Sequence, residues 1–346
     1  MEINTIAITG ERRTQIMTLH TPPLAAREVL VKVRAVALCT LEQRIFKGEV
    51  KMPLPCTGGH EVAGEIAALG SEVNGKLWKT LDRVAVRLLY SCGECHNCRS
   101  GRTNMCERAQ KKPVREGLLC GPGGLCDYVI VDSSALYPIP DGLTYPEAAL
   151  TEPLACVVHS IGRSGIALAE DVVVLGGGIM GQLHVMLAHL RGARVILSEP
   201  DPARREMALS HGADIAINPL ECDAVQKIRE LTLGRGADVV FNTTPSPQMV
   251  ATALEMTGKC GRMVQYSSVH PDIPAQISGQ AIHNGQITIT GSISPEVQDF
   301  YTANRLLSSG IVNCKHLIDS TFPFEEAQQA FERAITPGTF RVVITN

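Results

Sequence analysis

From the N-terminus to about residue 150 the apolar positions come in short runs, Thr5–Ile8, Val29–Val36, Val62–Leu69, Asp82–Val86 and Tyr128–Val131, each broken by Gly, Pro or polar clusters. Runs this short and evenly punctuated predict the strands of an antiparallel, barrel-like domain in which no helix dominates. Two loops interrupt the pattern, Ala37–Gly48 around Cys39 and the segment 91–106. Loops mounted on a rigid β scaffold are where binding groups gather. The stretch Pro138–Pro146, with Pro138, Pro140, Gly142 and Pro146, reads as a boundary.

From Glu147 the texture changes. Ala148–His159 reads as a helix of small apolar residues broken near Pro153, and Asp171–Leu175 (DVVVL) is a wholly apolar strand of the kind covered on both faces. It runs into Gly176-Gly177-Gly178-Ile179-Met180-Gly181 and a helix to about Leu190, followed by the strand Arg194–Ser198 and Glu199. Strand and helix candidates then alternate through Ile215–Ile217, Val225–Thr232, Val239–Phe241, Gln248–Thr257, Gly261–Tyr266 and Ile287–Thr290. That alternation predicts an α/β fold with a doubly wound parallel sheet. After Gly291 a helix near Pro295–Ser308 precedes short β-type pieces ending in Arg341–Thr345, a tail expected to return to the first domain. The expected division is 1–150, 151–291 and 292–346.

Composition narrows the partners. A chain of 346 residues exceeds one compact core and suggests two domains, and 45% hydrophobic with 19% charged residues describes an ordinary globular interior. The net charge of −3, without a dense Lys/Arg run, argues against nucleic acid or an anionic membrane as partner and leaves small molecules. The start MEINTIAITGERR lacks the basic and apolar regions of a signal peptide, and no apolar run reaches the roughly 18 residues of a membrane span. A cytoplasmic protein is expected. In a reducing compartment Cys56, Cys120, Cys126, Cys156, Cys222, Cys260 and Cys314 are by default small buried apolar residues.

The other cysteines carry chemistry. Cys92, Cys95, Cys98 and Cys106 are spaced C-x2-C-x2-C-x7-C, which suits a tetrahedral Zn²⁺ whose closed thiolate shell leaves no position for catalysis. The alternative is a disulfide pair or free thiols, against which stands the competition for partners among cysteines so close. Gly93 and Gly101 allow the turns, and Arg99 and Arg102 are placed to donate to the sulfurs. The G-x-G-x-x-G of Gly176, Gly178 and Gly181, with Ile179 and Met180 opening the helix, offers a pyrophosphate close backbone approach and unpaired N–H groups. Glu199, at the end of the next strand, can accept from both ribose hydroxyls and repel a 2′-phosphate, which favours NAD; its alternative is a solvated loop acid, and Arg204 and Arg205 could accommodate a phosphate. Cys39, Gly59-His60-Glu61 and Glu152 in Thr151-Glu152-Pro153 each have an ordinary alternative as core thiol, loop histidine or surface acid. Together a Cys, a His and a carboxylate make the three-ligand set of a catalytic zinc with an open fourth position.

In this order and spacing, Cys39, Gly59-His60-Glu61, the four-cysteine lobe, Glu152-Pro153-Leu154-Ala155 and the glycine fingerprint resemble the zinc-containing medium-chain dehydrogenases/reductases along essentially the whole chain. The likeness is greatest to their polyol branch of sorbitol, galactitol-phosphate and threonine dehydrogenases. The resemblance implies a GroES-like β-barrel catalytic domain built from both chain ends, a Rossmann domain between them, one catalytic and one structural Zn²⁺, NAD(H), and a homodimer or homotetramer. It makes Cys39 and His60 catalytic zinc ligands, with Glu61 or Glu152 completing the shell and Glu152 favoured; His159 is expected to pack rather than ligate. Where the family carries Cys-Gly-Ser/Thr-Asp, this chain reads Cys39-Thr40-Leu41-Glu42. Leu41 cannot relay a proton, so Thr40, or Glu61 and Glu152 with a water, are the candidates. Arg44 stands where relatives often carry His and is either an anion-binding group or a surface arginine. Asn242-Thr243-Thr244-Pro245 and Gln265-Tyr266-Ser267-Ser268 replace glycine-containing turns and are expected to shape the nicotinamide pocket. The expected activity is hydride transfer between NAD and a secondary alcohol of a polyol, sugar acid or sugar phosphate, the substrate being a small alcohol or ketone. The alternatives are an NADPH-preferring reductase of the same fold or a catalytically impaired nucleotide-sensing relative.

Overall fold

The structure, a computed structural model, describes residues 1–109 and 114–346. Its strands in chain order begin with β1 (Glu2–Gly10), β2 (Arg13–His20), β3 (Glu28–Ala37), β4 (Glu61–Leu69), β5 (Arg83–Arg87), β6 (Tyr128–Asp132) and β7 (Leu136–Pro138). Six more follow: β8 (Asp171–Leu175), β9 (Arg194–Ser198), β10 (Ile215–Ile217), β11 (Ala237–Asn242), β12 (Thr257–Gln265) and β13 (Thr288–Gly291). The chain closes with β14 (Ile318–Pro323) and β15 (Arg341–Thr345). Two compact units result, Met1–Ala155 with Glu296–Asn346, and Cys156–Pro295.

In the first unit a seven-stranded sheet runs β14-β15-β3-β4-β5-β7, with β6 on β3. The alternation in β3 explains its place at the centre: Val29, Val31, Val33 and Val36 are buried while Lys32 and Arg34 reach the edge of the core. Arg34 pairs there with Glu65 at 2.7 Å. The tail does return, since β15 is antiparallel to β3 through Val343↔Ala37, Ile344↔Val36 and Thr345↔Ala35. Two elements differ from the sequence reading. The polar strand β2 has no buried residue and is held as the antiparallel partner of β1, so apolar periodicity could not announce it. The loop around Cys39 contains the helix Thr40–Phe46, whose Glu42, Ile45 and Phe46 face inward, one turn of signal in seven residues.

The second unit is a six-stranded parallel sheet in the order β10-β9-β8-β11-β12-β13. All five residues of β8 are buried, as its apolar composition requires. The division between units falls inside the helix Thr151–Ser164, not in the Pro138–Pro146 stretch, where Thr144 instead caps a short helix, Tyr145–Ala149. Pro153 does not break the longer helix, because it lies in the first turn, where no N–H partner is required. Of the cysteines expected to be buried, Cys56, Cys126 and Cys314 are, whereas Cys260 is exposed. Among the described residues no helix is long and apolar enough to cross a membrane.

Candidate metal centre and nucleotide-binding turn

Cys39 ends the run from β3 and leads with extended backbone into the helix Thr40–Phe46, so its thiol and the inward Glu42 stand at one helix start. His60 and Glu61 enter β4 from Gly59, whose φ of +85° and contact of 2.6 Å from a built Cβ to Leu125 N exclude any side chain. Glu152 lies in the first turn of Thr151–Ser164. The fold brings these residues together as two groups sharing His60, Cys39/Glu42/His60 and His60/Glu61/Glu152, each with ligand atoms within 4.8 Å of one another.

Glu42 was not among the residues read as functional, and it organises the group. Its Oε1 accepts from Gly59 N at 2.9 Å and contacts His60 Nδ1 at 3.0 Å, leaving Nε2 for a metal. Glu61 is committed elsewhere, accepting from Arg341 Nη2 across 280 residues of chain. Arg341 also donates to Leu38 O at 3.4 Å.

The charges report crowding by acids. Burial pushes the Cys39 thiol up, against the opposing pull of Arg341. Burial pushes the Glu61 carboxyl up to about 7, Arg341 opposing and Glu152 adding to it. Burial would lower His60, but Glu42 and then Cys39 outweigh it and hold the imidazole well above its ordinary value. Burial would raise Glu42, but His60 and the Gly59 N–H hold it low. Glu42 Oε2 and Glu61 Oε2 are buried without a hydrogen-bond partner among the described residues. A thiol, an imidazole and carboxylates with orphaned oxygens fit Zn²⁺ by donor type and by charge.

Of the other candidates, Thr40 and Leu41 are exposed beside Cys39. Arg44 forms an ion pair with Glu49 at 3.7 Å.

In the four-cysteine lobe all sulfurs lie within 4.8 Å of one another, the geometry of a shared cation. The sulfurs are served by backbone rather than by arginine: Cys95 N donates to Cys92 Sγ at 3.3 Å, Cys98 N to Cys95 Sγ at 3.4 Å, and Cys92 N and Arg108 N to Cys106 Sγ at 3.4 Å. Arg102 reaches Ser100 Oγ at 3.1 Å and His96 Nε2 at 3.3 Å instead.

In the second unit the glycine turn follows β8 and opens the helix Ile179–Leu190 at Gly178, which carries no side-chain cap. Gly176 has a φ of +94°, and a Cβ on Gly181 would stand 1.8 Å from Gly176 O. The uncapped N–H groups and bare backbone fit a dinucleotide pyrophosphate. Glu199 is buried, not a solvated loop acid, and accepts from Gly177 N at 2.5 Å and Asp201 N at 2.9 Å. Arg205 is tied to the carbonyls of Glu199 and Pro200 at 2.8 and 2.7 Å, and Arg204 O accepts from Gln182 at 2.9 Å. Asn242 binds Thr244 and Gln265, and Thr243 donates to Leu175 O at 2.7 Å, so these polar turns lock the carboxyl ends of β8, β11 and β12.

Residues 25–141 match the alcohol dehydrogenase GroES-like domain and residues 180–309 the zinc-binding dehydrogenase domain. The sorbitol dehydrogenase of Bacillus subtilis (strain 168) is 33% identical over 333 residues, 94% of this chain and 91% of that protein. The D-arabitol-phosphate dehydrogenase of Enterococcus avium is 29% identical over 341 residues, 97% of this chain and 94% of its own length. A Sinorhizobium meliloti 1021 crystal structure bound to NADP superposes with a TM-score of 0.90 and 26% identity, covering 100% of both chains. With both of its domains matched, the chain belongs to the zinc-containing medium-chain dehydrogenases/reductases, as an alcohol dehydrogenase-type oxidoreductase of their polyol branch.

Proposed function

We propose that this protein is a zinc- and NAD-dependent dehydrogenase that oxidises a secondary alcohol of a polyol, sugar acid or sugar phosphate, or reduces the matching ketone. The observation that carries the reading is the pair of ligand groups joined at His60. Cys39, His60 and Glu152 would hold the catalytic zinc, while Glu61 is already engaged as acceptor from Arg341. Zinc bound there supplies the Lewis acidity that lowers an alcohol's pKa toward neutrality. NAD held at the Gly176–Gly181 turn supplies the hydride acceptor. This chain's own residues do the rest: Glu42 fixes the His60 ring through Nδ1, Arg341 offsets the acidic group, and Gly178 presents free N–H groups to the pyrophosphate. Glu199, buried at the end of β9, supports NAD over NADP, because a 2′-phosphate would face its carboxylate.

The test is the near-ultraviolet absorbance of reduced nicotinamide during incubation with zinc-replete protein, NAD⁺ and a panel of polyols, sugar acids, sugar phosphates and threonine. Turnover with one class, lost in Cys39→Ala while NAD binding persists, supports the assignment. Cys39→Ala at wild-type rates refutes it. The NADP-bound structural relative favours one competing reading, a reductase running on NADPH. Under the NAD reading Glu199→Ala weakens NAD and improves NADP; an unchanged cofactor ratio in that variant would overturn the role given to Glu199.

A further inference from the structure

Val62 and Val86 are partners across β4 and β5, and both lie in the buried core of the first unit. Their neighbours Glu61 and Arg87, directly opposed in the same register, therefore point together to the other face of the sheet, with Cβ atoms roughly 5 Å apart. Arg341 comes to Glu61 from the opposite side. Val343 of β15 is paired with Ala37 of β3, Ala37 is paired with Glu61, and Arg341, two residues before Val343, donates to Glu61 Oε1. Glu61 thus sits between two arginines, one from β5 and one from β15 beyond β3.

Only Arg341 is bonded to it. Arg87 is 9% exposed, and its Nε and Nη2 are buried and meet no acceptor among the described residues. Glu61 is 0% exposed, and its Oε2 is equally buried and meets no donor among them. Buried polar groups are almost always paired, and a buried charge left alone is costly. Here an orphaned pair of donors and an orphaned acceptor belong to residues that the β-ladder sets face to face. Two donors and one acceptor are enough to hold a single water, which closes a gap too wide for a direct bond.

We propose that Arg87 is the second cation of Glu61, joined to Oε2 across a buried water, and that the chain Arg341–Glu61–Arg87 keeps Glu61 off the catalytic metal. The two carboxylates beside His60 then divide their roles. With Oε1 taken by Arg341 and Oε2 by Arg87, Glu61 has no oxygen for a metal, although its ligand atom lies within 4.8 Å of those of His60 and Glu152. Glu152 becomes the one carboxylate of the shell, and with the Cys39 thiolate it balances the charge of Zn²⁺. Arg87 touches no reacting atom and is a positioning residue.

The proposal rests on Cys39, His60 and Glu152 forming the metal shell, and the experiment separates the two claims. Zinc affinity of full-length protein is measured by competition with a chelator, the catalytic site being the zinc lost in Cys39→Ala. Glu152→Ala is expected to weaken that site by more than about 100-fold, beyond the cost of losing a supporting group. Arg87→Met added to Glu152→Ala should restore roughly 10-fold, because Glu61 Oε2 is then released to the metal. Arg87→Leu, a second neutral variant of different shape, should restore as much. Arg87→Lys should restore nothing, since its ammonium still holds Glu61. Adding Glu61→Gln to the Arg87→Met double variant should abolish the recovery. No recovery in either neutral double variant overturns the proposal, as does equal recovery with Arg87→Lys. Recovery that survives Glu61→Gln comes from another ligand and overturns it too. Wild-type zinc affinity in Glu152→Ala alone overturns instead the metal shell on which the proposal rests.

Discussion

Replacing Glu42 tests whether the geometry around His60 governs metal binding. Glu42 is 0% exposed, and one oxygen, Oε1, serves both the Gly59 N–H and His60 Nδ1. Glu42→Ala leaves the Gly59 N–H buried without an acceptor, at a cost of about 1–3 kcal/mol. It also frees the His60 ring, and loss of such an orienting group weakens metal affinity or activity by roughly 10–100-fold, or about 1.4–2.7 kcal/mol. Glu42→Gln keeps an oxygen able to accept from Gly59 N and His60 Nδ1, removes the charge, and puts an amide NH2 where the buried Oε2 was. Charge-assisted bonds are about twice as strong as neutral ones, so its deficit should be near 1 kcal/mol. The assays are zinc affinity by chelator competition, kcat/KM on the best alcohol, and urea denaturation of the loaded protein. The expected order is wild type, then Glu42→Gln, then Glu42→Ala in all three. A Glu42→Ala protein with wild-type zinc affinity and kcat/KM would refute the argument that the Nδ1 contact orients His60.

Arg341→Ala leaves Glu61 buried and unpaired, and should destabilise the fold by about 3–5 kcal/mol in denaturant titration, with Glu61→Gln restoring part of the loss; equal stability of the single and double variants would show no coupling. Gly181→Ala, whose Cβ would stand 1.8 Å from Gly176 O, should weaken NADH binding by roughly 10-fold or more in a fluorescence titration while zinc content stays normal. His184 is fully buried, bonded through Nδ1 to Met180 O at 2.7 Å and through Nε2 to Ser160 Oγ at 2.9 Å, and packed on Phe241 and Tyr266. Burial lowers its pKa to about 4. The unfolded chain therefore binds the extra proton between about 6.5 and 4, and up to about 3 kcal/mol of stability present above pH 6.5 is lost as pH falls through that window. The control His184→Gln should reduce the slope over this range, and an unchanged slope would refute the assignment.

The parallel sheet was legible because its strands are apolar on both faces: β8, β9 and β10 fall at the residues the run of Val, Ile and Leu marks. The lobe was legible because cysteine spacing alone restricts its chemistry. The support of the catalytic group was not. Glu42 precedes His60 by 18 residues and Arg341 follows Glu61 by 280, and no local periodicity links positions that only the tertiary fold brings together. Only the departure at Cys39-Thr40-Leu41-Glu42 marks that segment, and the hydroxyl it lacks at Leu41 carries no information about Glu42. The lobe arginines failed for the opposite reason: their charge suggested sulfur, but tight turns had already turned backbone N–H groups toward it.

The division of the first unit around the second has a consequence for biogenesis. β15, which carries Arg341 and lies between β14 and β3, is translated after every residue of Cys156–Pro295. The second unit is contiguous and can fold as soon as it leaves the ribosome. The first must wait with β3 exposing an edge along Ala35–Ala37, next to Cys39, until its last strand is delivered. During that interval Glu61 is an acid without its guanidinium and the unclosed edge is open to pairing with another nascent chain.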